Sequence, residues 1–170
     1  MPEIHALGID VGSTTTKIVG VDPSGQMVWH LLELAEPRTA EQVKHFLECT
    51  CQEIGLDNCD KTAFTFLNDL GIPLVATGYG RRLVTQASRQ VTEITCHATA
   101  IFREFKHGGT LVDIGGQDSK VIGVSPEGRV VDFAMNDKCA AGTGRFLENM
   151  ANRLQVPLNC LGEQALSASE

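Results

Sequence analysis

The sequence lacks the features of several large protein classes. Basic residues are scarce, with 14 Lys and Arg against 21 Asp and Glu, and the net charge of −7 disfavours nonspecific binding to nucleic acid. No apolar run approaches the ~20 residues of a membrane span. The opening stretch MPEIHALGID has neither the basic start nor the apolar core of a signal peptide. We therefore expect a cytoplasmic protein that binds neither nucleic acid nor membrane.

The six cysteines include no CxxC pair. Thiols stay reduced in the cytoplasm, so we do not expect a disulfide framework, and the missing CxxC pairs also disfavour a zinc site. Cys49, Cys51 and Cys59 lie close in sequence, but a CxC spacing on a helix points two thiols to different faces. Cys139 stands apart, because it lies in NDKCAAGTGRF, where a run of small residues opens a predicted helix.

An internal repeat is the most informative feature. Asp10–Val28 (DVGSTTTKIVGVDPSGQMV) aligns without a gap on Asp113–Val131 (DIGGQDSKVIGVSPEGRVV), at an offset of 103, with eight of 19 positions identical. The identities include the Asp, the Gly two residues later and the Lys seven residues later. The period is too long for a solenoid. We therefore predict two structurally related lobes, residues 1–107 and 108–170.

Each copy predicts a three-stranded antiparallel meander: an apolar run ending in Asp, a turn with Gly, a β-branched run, a Pro-x-Gly turn and a returning strand. The following segments alternate between helix and strand, which indicates an α/β layer fold with mixed sheets. The second lobe ends before the pattern of the first is repeated in full, so we expect a complete first lobe and a partial second one. Further predicted elements are helices over Thr39–Ile54, Gly80–Ala87, Cys96–Phe105 and Gly142–Leu154, and strands over Pro73–Thr77 and Val91–Thr95.

The two turns that follow the aspartates are suited to binding phosphate. Their small residues let backbone N–H groups approach an anion, although neither turn is a Walker A loop. Two facing loops would clamp a polyphosphate between the lobes, with Asp10 and Asp113 as catalytic carboxylates holding a hydrated Mg²⁺. The alternative is a pair of plain hairpin ends in which each Asp caps its own turn. The predicted phosphate-binding residues are Gly12, Ser13, Thr14, Thr15, Lys17, Gly115, Gly116, Gln117 and Asp118.

Five motifs together resemble one family of ATPases. GIDVGSTTTK and DIGGQDSK resemble the two phosphate loops of the actin, sugar kinase and Hsp70 superfamily. With ATGYGR (Ala76–Arg81), EITCHA (Glu93–Ala98) and MNDKCAAGTGRFLE (Met135–Glu148), the chain is similar to activators of 2-hydroxyacyl-CoA dehydratase. That family also contains the ATPase subunits of benzoyl-CoA reductase. The resemblance covers nearly the whole chain and implies an actin-like (ribonuclease H-like) ATPase fold.

The resemblance further implies an ATP-dependent one-electron donor. Such activators bind ATP or ADP with Mg²⁺ and are homodimers that share one [4Fe–4S] cluster, to which each subunit gives two cysteines. They accept an electron from flavodoxin or ferredoxin and pass it to a 2-hydroxyacyl-CoA dehydratase or related reductase. Cys139 matches one cluster ligand. The family's second cluster cysteine lies in a downstream motif that this sequence does not contain, and Cys160 matches no motif, so we expect a truncated chain.

The local sequence agrees with a ligand role for Cys139. A helix start stabilises a thiolate, and the small residues around it leave room for a cluster or a second subunit; Gly142, Thr143 and Gly144 are predicted to contact the cofactor. A buried structural cysteine is the alternative on residue chemistry alone. Two other functions stay open: a small-molecule kinase on the same fold, and a nucleotide-binding regulatory protein without redox chemistry.

Overall fold

The computed structural model describes residues 3–55, 67, 69–136 and 141–168. The chain divides into two compact units, Met1–His97 and Ala98–Glu170. The lobe boundary predicted after residue 107 remains a prediction. Within the described ranges, every helix is too short or too polar to cross a lipid bilayer.

Unit 1 is built on a five-stranded mixed sheet in the order β3-β2-β1-β4-β5. The first three strands form the predicted antiparallel meander, and β4 and β5 add to the free edge of β1 in parallel. Helix α1 (Thr39–Glu53) follows the meander, as predicted. The strands are β1 (Ala6–Val11), β2 (Thr15–Val21), β3 (Met27–Leu34), β4 (Leu74–Thr77) and β5 (Arg89–Gln90).

One face of this sheet and one face of α1 form the core of unit 1. Alternate residues of β1 point to the same side of the sheet and are buried, and β2 adds Ile18 between them. The buried positions of α1 recur at helical spacing, so they lie along one stripe. The two surfaces share a cluster that contains Leu7, Ile9, Val11, Ile18, Val43, Phe46, Leu47 and Cys51.

Unit 2 contains a three-stranded antiparallel sheet, β6-β7-β8. Its strands are β6 (Gly109–Ile114), β7 (Ser119–Val124) and β8 (Val130–Asn136). The helices here are α2 (Glu93–Phe105), which contains the division between the units, α3 (Gly144–Leu154) and α4 (Leu161–Ser167).

The sequence repeat is confirmed as a structural repeat. Each meander carries an irregularity in register at the same place, between Gly20 and Val21 in unit 1 and between Gly123 and Val124 in unit 2. The turns that follow also match, because Gly25 and the equivalent Gly128 both adopt a left-handed conformation, with φ of 77° and 80°. A glycine is required there since other residues avoid positive φ.

The two units differ in how their equivalent sheet faces are covered. Ile9, Val11 and Ile18 are buried in unit 1, whereas their equivalents in unit 2, Val112, Ile114 and Val121, are 60%, 59% and 45% exposed. In unit 1, α1 packs against this face. Among the described residues of unit 2, no helix buries the corresponding face.

Two local predictions were wrong. Val91–Thr95 is not a strand, because α2 already begins at Glu93, and Thr92 precedes it as a capping residue whose Oγ1 accepts a hydrogen bond from the Thr95 N–H at 3.3 Å. The β-branched run therefore marks a helix start. The predicted helix over Gly80–Ala87 is a single 3₁₀ turn, Arg81–Leu83.

Replacing a core leucine of α1 tests the packing of unit 1. Leu47 is 2% exposed, so Leu47→Ala removes buried apolar contacts and should lower the free energy of unfolding by about 2–5 kcal/mol. Leu34 on β3 is 75% exposed, and Leu34→Ala should change the free energy by no more than about 0.5 kcal/mol. Denaturant unfolding measures both, and equal losses in the two variants would contradict the assigned core.

Candidate nucleotide-binding site

The first candidate loop joins β1 to β2 and begins at Asp10. Lys17 lies directly opposite Asp10 on the neighbouring strand, so both side chains emerge on the same face of the sheet. Lys17 Nζ and Asp10 Oδ2 are 2.8 Å apart, and both side chains remain more than a third exposed. The turn closes with a hydrogen bond from the Gly12 N–H to the Thr15 carbonyl at 3.1 Å. Asp10 thus lies at the strand end with its charge partly compensated and still open to solvent.

A second segment of unit 1, distant in sequence, packs against this strand end. The Gly80 N–H donates to the Val11 carbonyl at 2.8 Å, and an Arg81 Nη1–H donates to the Gly78 carbonyl at 2.9 Å. Gly78 has a φ of 86°, and a Cβ built on it would overlap Asp10 Oδ1 and lie 2.5 Å from the Val11 carbonyl oxygen. The close approach therefore requires glycine at position 78.

Two buried hydroxyl groups at the same end of the sheet as Asp10 have no hydrogen-bond partner among the described residues. They are Thr14 Oγ1, in the loop, and Thr77 Oγ1, at the end of β4. Thr77 is the cross-strand neighbour of Asp10. A buried polar group without a partner costs free energy, and such groups in native proteins are usually satisfied by a ligand or an ordered water. The polar surroundings of Asp10 therefore fit a bound group that supplies oxygen atoms or water, as a hydrated Mg²⁺ with phosphates does.

The second candidate loop joins β6 to β7 and repeats this geometry with an added carboxylate. Lys120 lies directly opposite Asp113, as Lys17 lies opposite Asp10. Lys120 Nζ is 3.3 Å from Asp113 Oδ2 and 2.8 Å from Asp118 Oδ1. The turn closes with a hydrogen bond from the Gly115 N–H to the Asp118 carbonyl at 2.9 Å. Both loops thus have a Gly-closed turn and an Asp–Lys pair at the strand ends.

The second loop is hydrogen-bonded to the start of α3. The Gly144 N–H donates to the Gly115 carbonyl at 2.8 Å, and the Arg145 N–H donates to the Gly116 carbonyl at 3.1 Å. The Ser119 hydroxyl donates to the carbonyl of Gly142, which has a φ of 80°. These contacts bring the predicted residues Gly142–Gly144 together with the predicted loop, and they satisfy N–H groups that a helix start leaves without partners.

The remaining predicted loop residues differ in exposure. Ser13 and Gln117 are exposed, Thr143 is buried, and Thr15 is the first residue of β2. Ser13 and Gln117 are therefore placed where a ligand could reach them, whereas the side chain of Thr143 is enclosed by protein.

The cysteine predictions have separate outcomes. Cys139 and Cys59 lie outside the described residues, so the cluster assignment stays a prediction. Cys51 is buried in the core and Cys49 is only partly buried, which confirms that the CxC pair points to two faces. Among the described residues, no three His, Cys, Asp or Glu side chains are grouped to hold a metal ion.

The surface thiol of Cys49 is held in its neutral form. Burial raises its pKa, and the carboxylates of Glu33 and Glu48 raise it further. Its sulfur lies 3.7 Å from Nε2 of His45, which in turn lies 3.2 Å from Glu33 Oε1. A raised pKa disfavours the thiolate, so this group is a poor nucleophile and a poor metal ligand.

The chain is similar to one family of known proteins. Residues 7–169 match the model of the BadF/BadG/BcrA/BcrD ATPase family. The chain is 38% identical over 160 residues to an activator of lactoyl-CoA dehydratase from Anaerotignum propionicum, covering 94% of this chain and 58% of that protein. It is 40% identical over 161 residues to a (R)-2-hydroxyglutaryl-CoA dehydratase activating ATPase from Acidaminococcus fermentans, covering 94% and 57%.

The chain is also similar in structure to a solved dehydratase activator. The activator of the 2-hydroxyisocaproyl-CoA dehydratase from Clostridium difficile, with bound ADPNP, superimposes with a TM-score of 0.77 at 34% identity. The match covers 97% of this chain and 57% of that one. This chain therefore spans a little over half the length of the relatives that it matches.

The mixed sheet, the paired Asp–Gly turns and these likenesses define the actin-like ATPase fold, and the predicted fold class is confirmed. The chain belongs to the BadF/BadG/BcrA/BcrD ATPase family. The predicted resemblance to dehydratase activators is confirmed with it.

Several residues at the site were not predicted as site residues, among them Gly78 and Lys120. Gly78 belongs to the ATGYGR motif, which the sequence marked as family-specific without placing it beside Asp10. Lys120 is identical to Lys17 in the repeat, and that identity was the signal that could have identified it. Their places beside Asp10 and Asp113 follow from the three-dimensional structure.

Replacing Gly78 tests whether it positions Asp10. Gly71→Ala is the matched control, because Gly71 also has a positive φ (68°) but has no atom within 4 Å of a built Cβ. The control should lose about 1–2 kcal/mol of stability from backbone strain alone. Gly78→Ala should lose at least about 1 kcal/mol more, since its methyl group overlaps backbone and carboxylate. Denaturant unfolding compares them, and equal losses would mean that Gly78 does not constrain Asp10.

Proposed function

We propose that the chain binds ATP and Mg²⁺ through its two Asp–Gly loops and serves as the nucleotide-binding part of an activator of a CoA-ester enzyme. The observation that carries the proposal is the repeated strand-end geometry: an Asp opposite a Lys, followed by a turn closed by glycine, in a chain of an ATPase family. A single Asp-Gly turn is common in hairpins. The same carboxylate–ammonium pair in two equivalent turns is explained by a shared task.

The backbone of the two loops is proposed to bind the phosphates. The N–H groups of Gly12 and Gly115 close the two turns, so we assign phosphate binding to other N–H groups of the loops, which the small loop residues leave accessible. Lys17 can add a positive charge, since its side chain is 39% exposed beside Asp10. The exposed side chains of Ser13 and Gln117 can donate further hydrogen bonds.

The carboxylates of Asp10 and Asp113 are proposed to hold Mg²⁺, which prefers oxygen ligands and retains several of its water molecules. A bound Mg²⁺ would offset the negative charge of the phosphates and polarise the γ-phosphate for attack by water. The unpartnered hydroxyl groups of Thr14 and Thr77 support this assignment at Asp10, because water or phosphate oxygens would satisfy them.

The redox part of the proposal depends on Cys139. We propose that two copies of the chain form a homodimer that shares a [4Fe–4S] cluster, with Cys139 of each copy as a ligand. A cluster of this kind takes four thiolates, so Cys139 supplies two of them in a two-fold dimer. Cys139 precedes Gly142 by three residues, and Gly142 accepts the hydrogen bond from Ser119 in the second loop. The second loop is therefore hydrogen-bonded to a residue three positions from Cys139 in the sequence.

The proposed partner is a 2-hydroxyacyl-CoA dehydratase or a related CoA-ester reductase, which would accept one electron at the expense of ATP hydrolysis. Two relatives named as activators of such dehydratases support this choice. Flavodoxin or ferredoxin would reduce the cluster, in the cytoplasm. The acyl-CoA substrate would be recognised by the partner enzyme.

Nucleotide binding is tested by isothermal titration of the chain with MgADP and with a non-hydrolysable ATP analogue. Asp10→Asn and Asp113→Asn keep the side-chain shape but remove the charge that Mg²⁺ requires, so each should weaken binding at least about tenfold, a loss of about 1.4 kcal/mol. Asp22→Asn is the control, because Asp22 lies in an exposed turn, where hydrogen bonds from Ser24 and Gln26 lower its pKa. Wild-type affinity in both loop variants would refute the proposed metal site.

Cluster binding is tested by iron and sulfide analysis after anaerobic reconstitution. Cys139→Ser should abolish the iron–sulfur absorption and leave MgADP binding intact, because serine is a poor ligand for iron in a sulfur environment. A stoichiometric cluster in the Cys139→Ser protein would remove this residue from the ligand set.

A further inference from the structure

Lys120 is the most completely enclosed charged group at the candidate site. Its side chain is 4% exposed, and its ammonium group lies 2.8 Å from Asp118 Oδ1 and 3.3 Å from Asp113 Oδ2. Removing a long cationic side chain from water is costly unless opposite charges compensate it. The two carboxylates provide that compensation, so Lys120, Asp113 and Asp118 form one electrostatic unit.

The equivalent lysine of unit 1 is placed differently. Lys17 is 39% exposed and pairs with a single carboxylate among the described residues, that of Asp10, because position 15, which is equivalent to 118, is a threonine. An ammonium group that remains open to solvent can also meet an incoming phosphate. Lys120 is enclosed between two carboxylates and cannot turn outward without breaking both ion pairs. The two lysines therefore have different tasks in otherwise matching loops.

The carboxylate of Asp118 lies at the part of the loop that a phosphate would approach. Its Oδ1 is so close to Gly115 that a Cβ built there would lie 2.5 Å from it. That same oxygen accepts the hydrogen bond from Lys120. Without a positive charge beside it, this carboxylate would repel a phosphate chain near the Gly115 and Gly116 backbone.

We propose that Lys120 is a positioning residue that neutralises Asp118 and fixes Asp113, so that the second loop accepts phosphate with a single Mg²⁺. The three side chains carry a combined charge of −1 with Lys120 and −2 without it. A loop with charge −2 would require a higher Mg²⁺ concentration before an anionic ligand could bind. The inference rests on the proposed nucleotide binding and extends it to a residue whose side chain does not reach the ligand.

The test compares Lys120→Met, Asp118→Asn and the double variant in the full chain, by calorimetric titration with ADP over a range of Mg²⁺ concentrations. Lys120→Met should weaken ADP binding at least tenfold and raise the half-saturating Mg²⁺ concentration. The double variant restores the combined charge of −1 and should return both quantities to within threefold of wild type. Lys44→Met, which removes an exposed ion pair with Glu48, is the control that should change neither.

The Mg²⁺ dependence of binding and its recovery in the double variant distinguish charge compensation by Lys120 from a role in packing alone. If Lys120→Met alone fails to fold, the double variant still decides, because recovery of folding and binding with neutral residues at both positions supports charge compensation. A double variant that binds as weakly as Lys120→Met, or a Lys120→Met protein with wild-type affinity and Mg²⁺ dependence, would overturn the inference while leaving nucleotide binding in place. Absence of ADP binding by the wild-type chain would overturn the proposed function and this inference together.

Discussion

The ion pair between a strand-end aspartate and the lysine opposite it is the interaction on which the candidate site depends. In each unit the pair joins the first and second strands of the meander at the point where the loop begins. The ammonium group holds the carboxylate at the sheet edge and reduces the repulsion that an anionic ligand would meet. The glycine-closed turn that follows is fixed by the same two strands. The paired ends of the first two strands therefore set the position of the aspartate, its compensating charge and the access to the loop backbone.

The repeat shows how equivalent sequences acquire different environments. The meanders share their register, their irregularity and their turn glycines. They differ in the number of carboxylates beside the lysine. Asp118 in unit 2 stands where unit 1 has Thr15, and Lys120 beside it is enclosed. They also differ in whether a helix covers the sheet. Helix α1 buries one face of the first sheet, while Val112, Ile114 and Val121 on the equivalent face of the second sheet stay exposed. One repeated pattern thus supports an open ion pair in unit 1 and an enclosed triad in unit 2.

Contacts from distant segments complete each loop. In unit 1, Gly78 and Gly80 approach the end of β1 so closely that side chains there would overlap Asp10 and Val11. In unit 2, the start of α3 donates two backbone hydrogen bonds to Gly115 and Gly116. The loops are therefore held from both sides, which limits the reorganisation that ligand binding would require.

The sequence by itself determined the meanders, their turns and the Asp–Lys register, because β-branched alternation and turn glycines act over a few residues and leave a readable pattern. The repeated register also indicated the phosphate loops, and the five motifs indicated the family. Only the tertiary structure decided that Gly78 lies against Asp10, since the parallel pairing of β4 with β1 joins segments more than 60 residues apart. It likewise decided that Lys120 is enclosed while Lys17 is open. Burial depends on which segments pack around a side chain, and two lysines at equivalent positions of a sequence repeat do not by themselves reveal that difference.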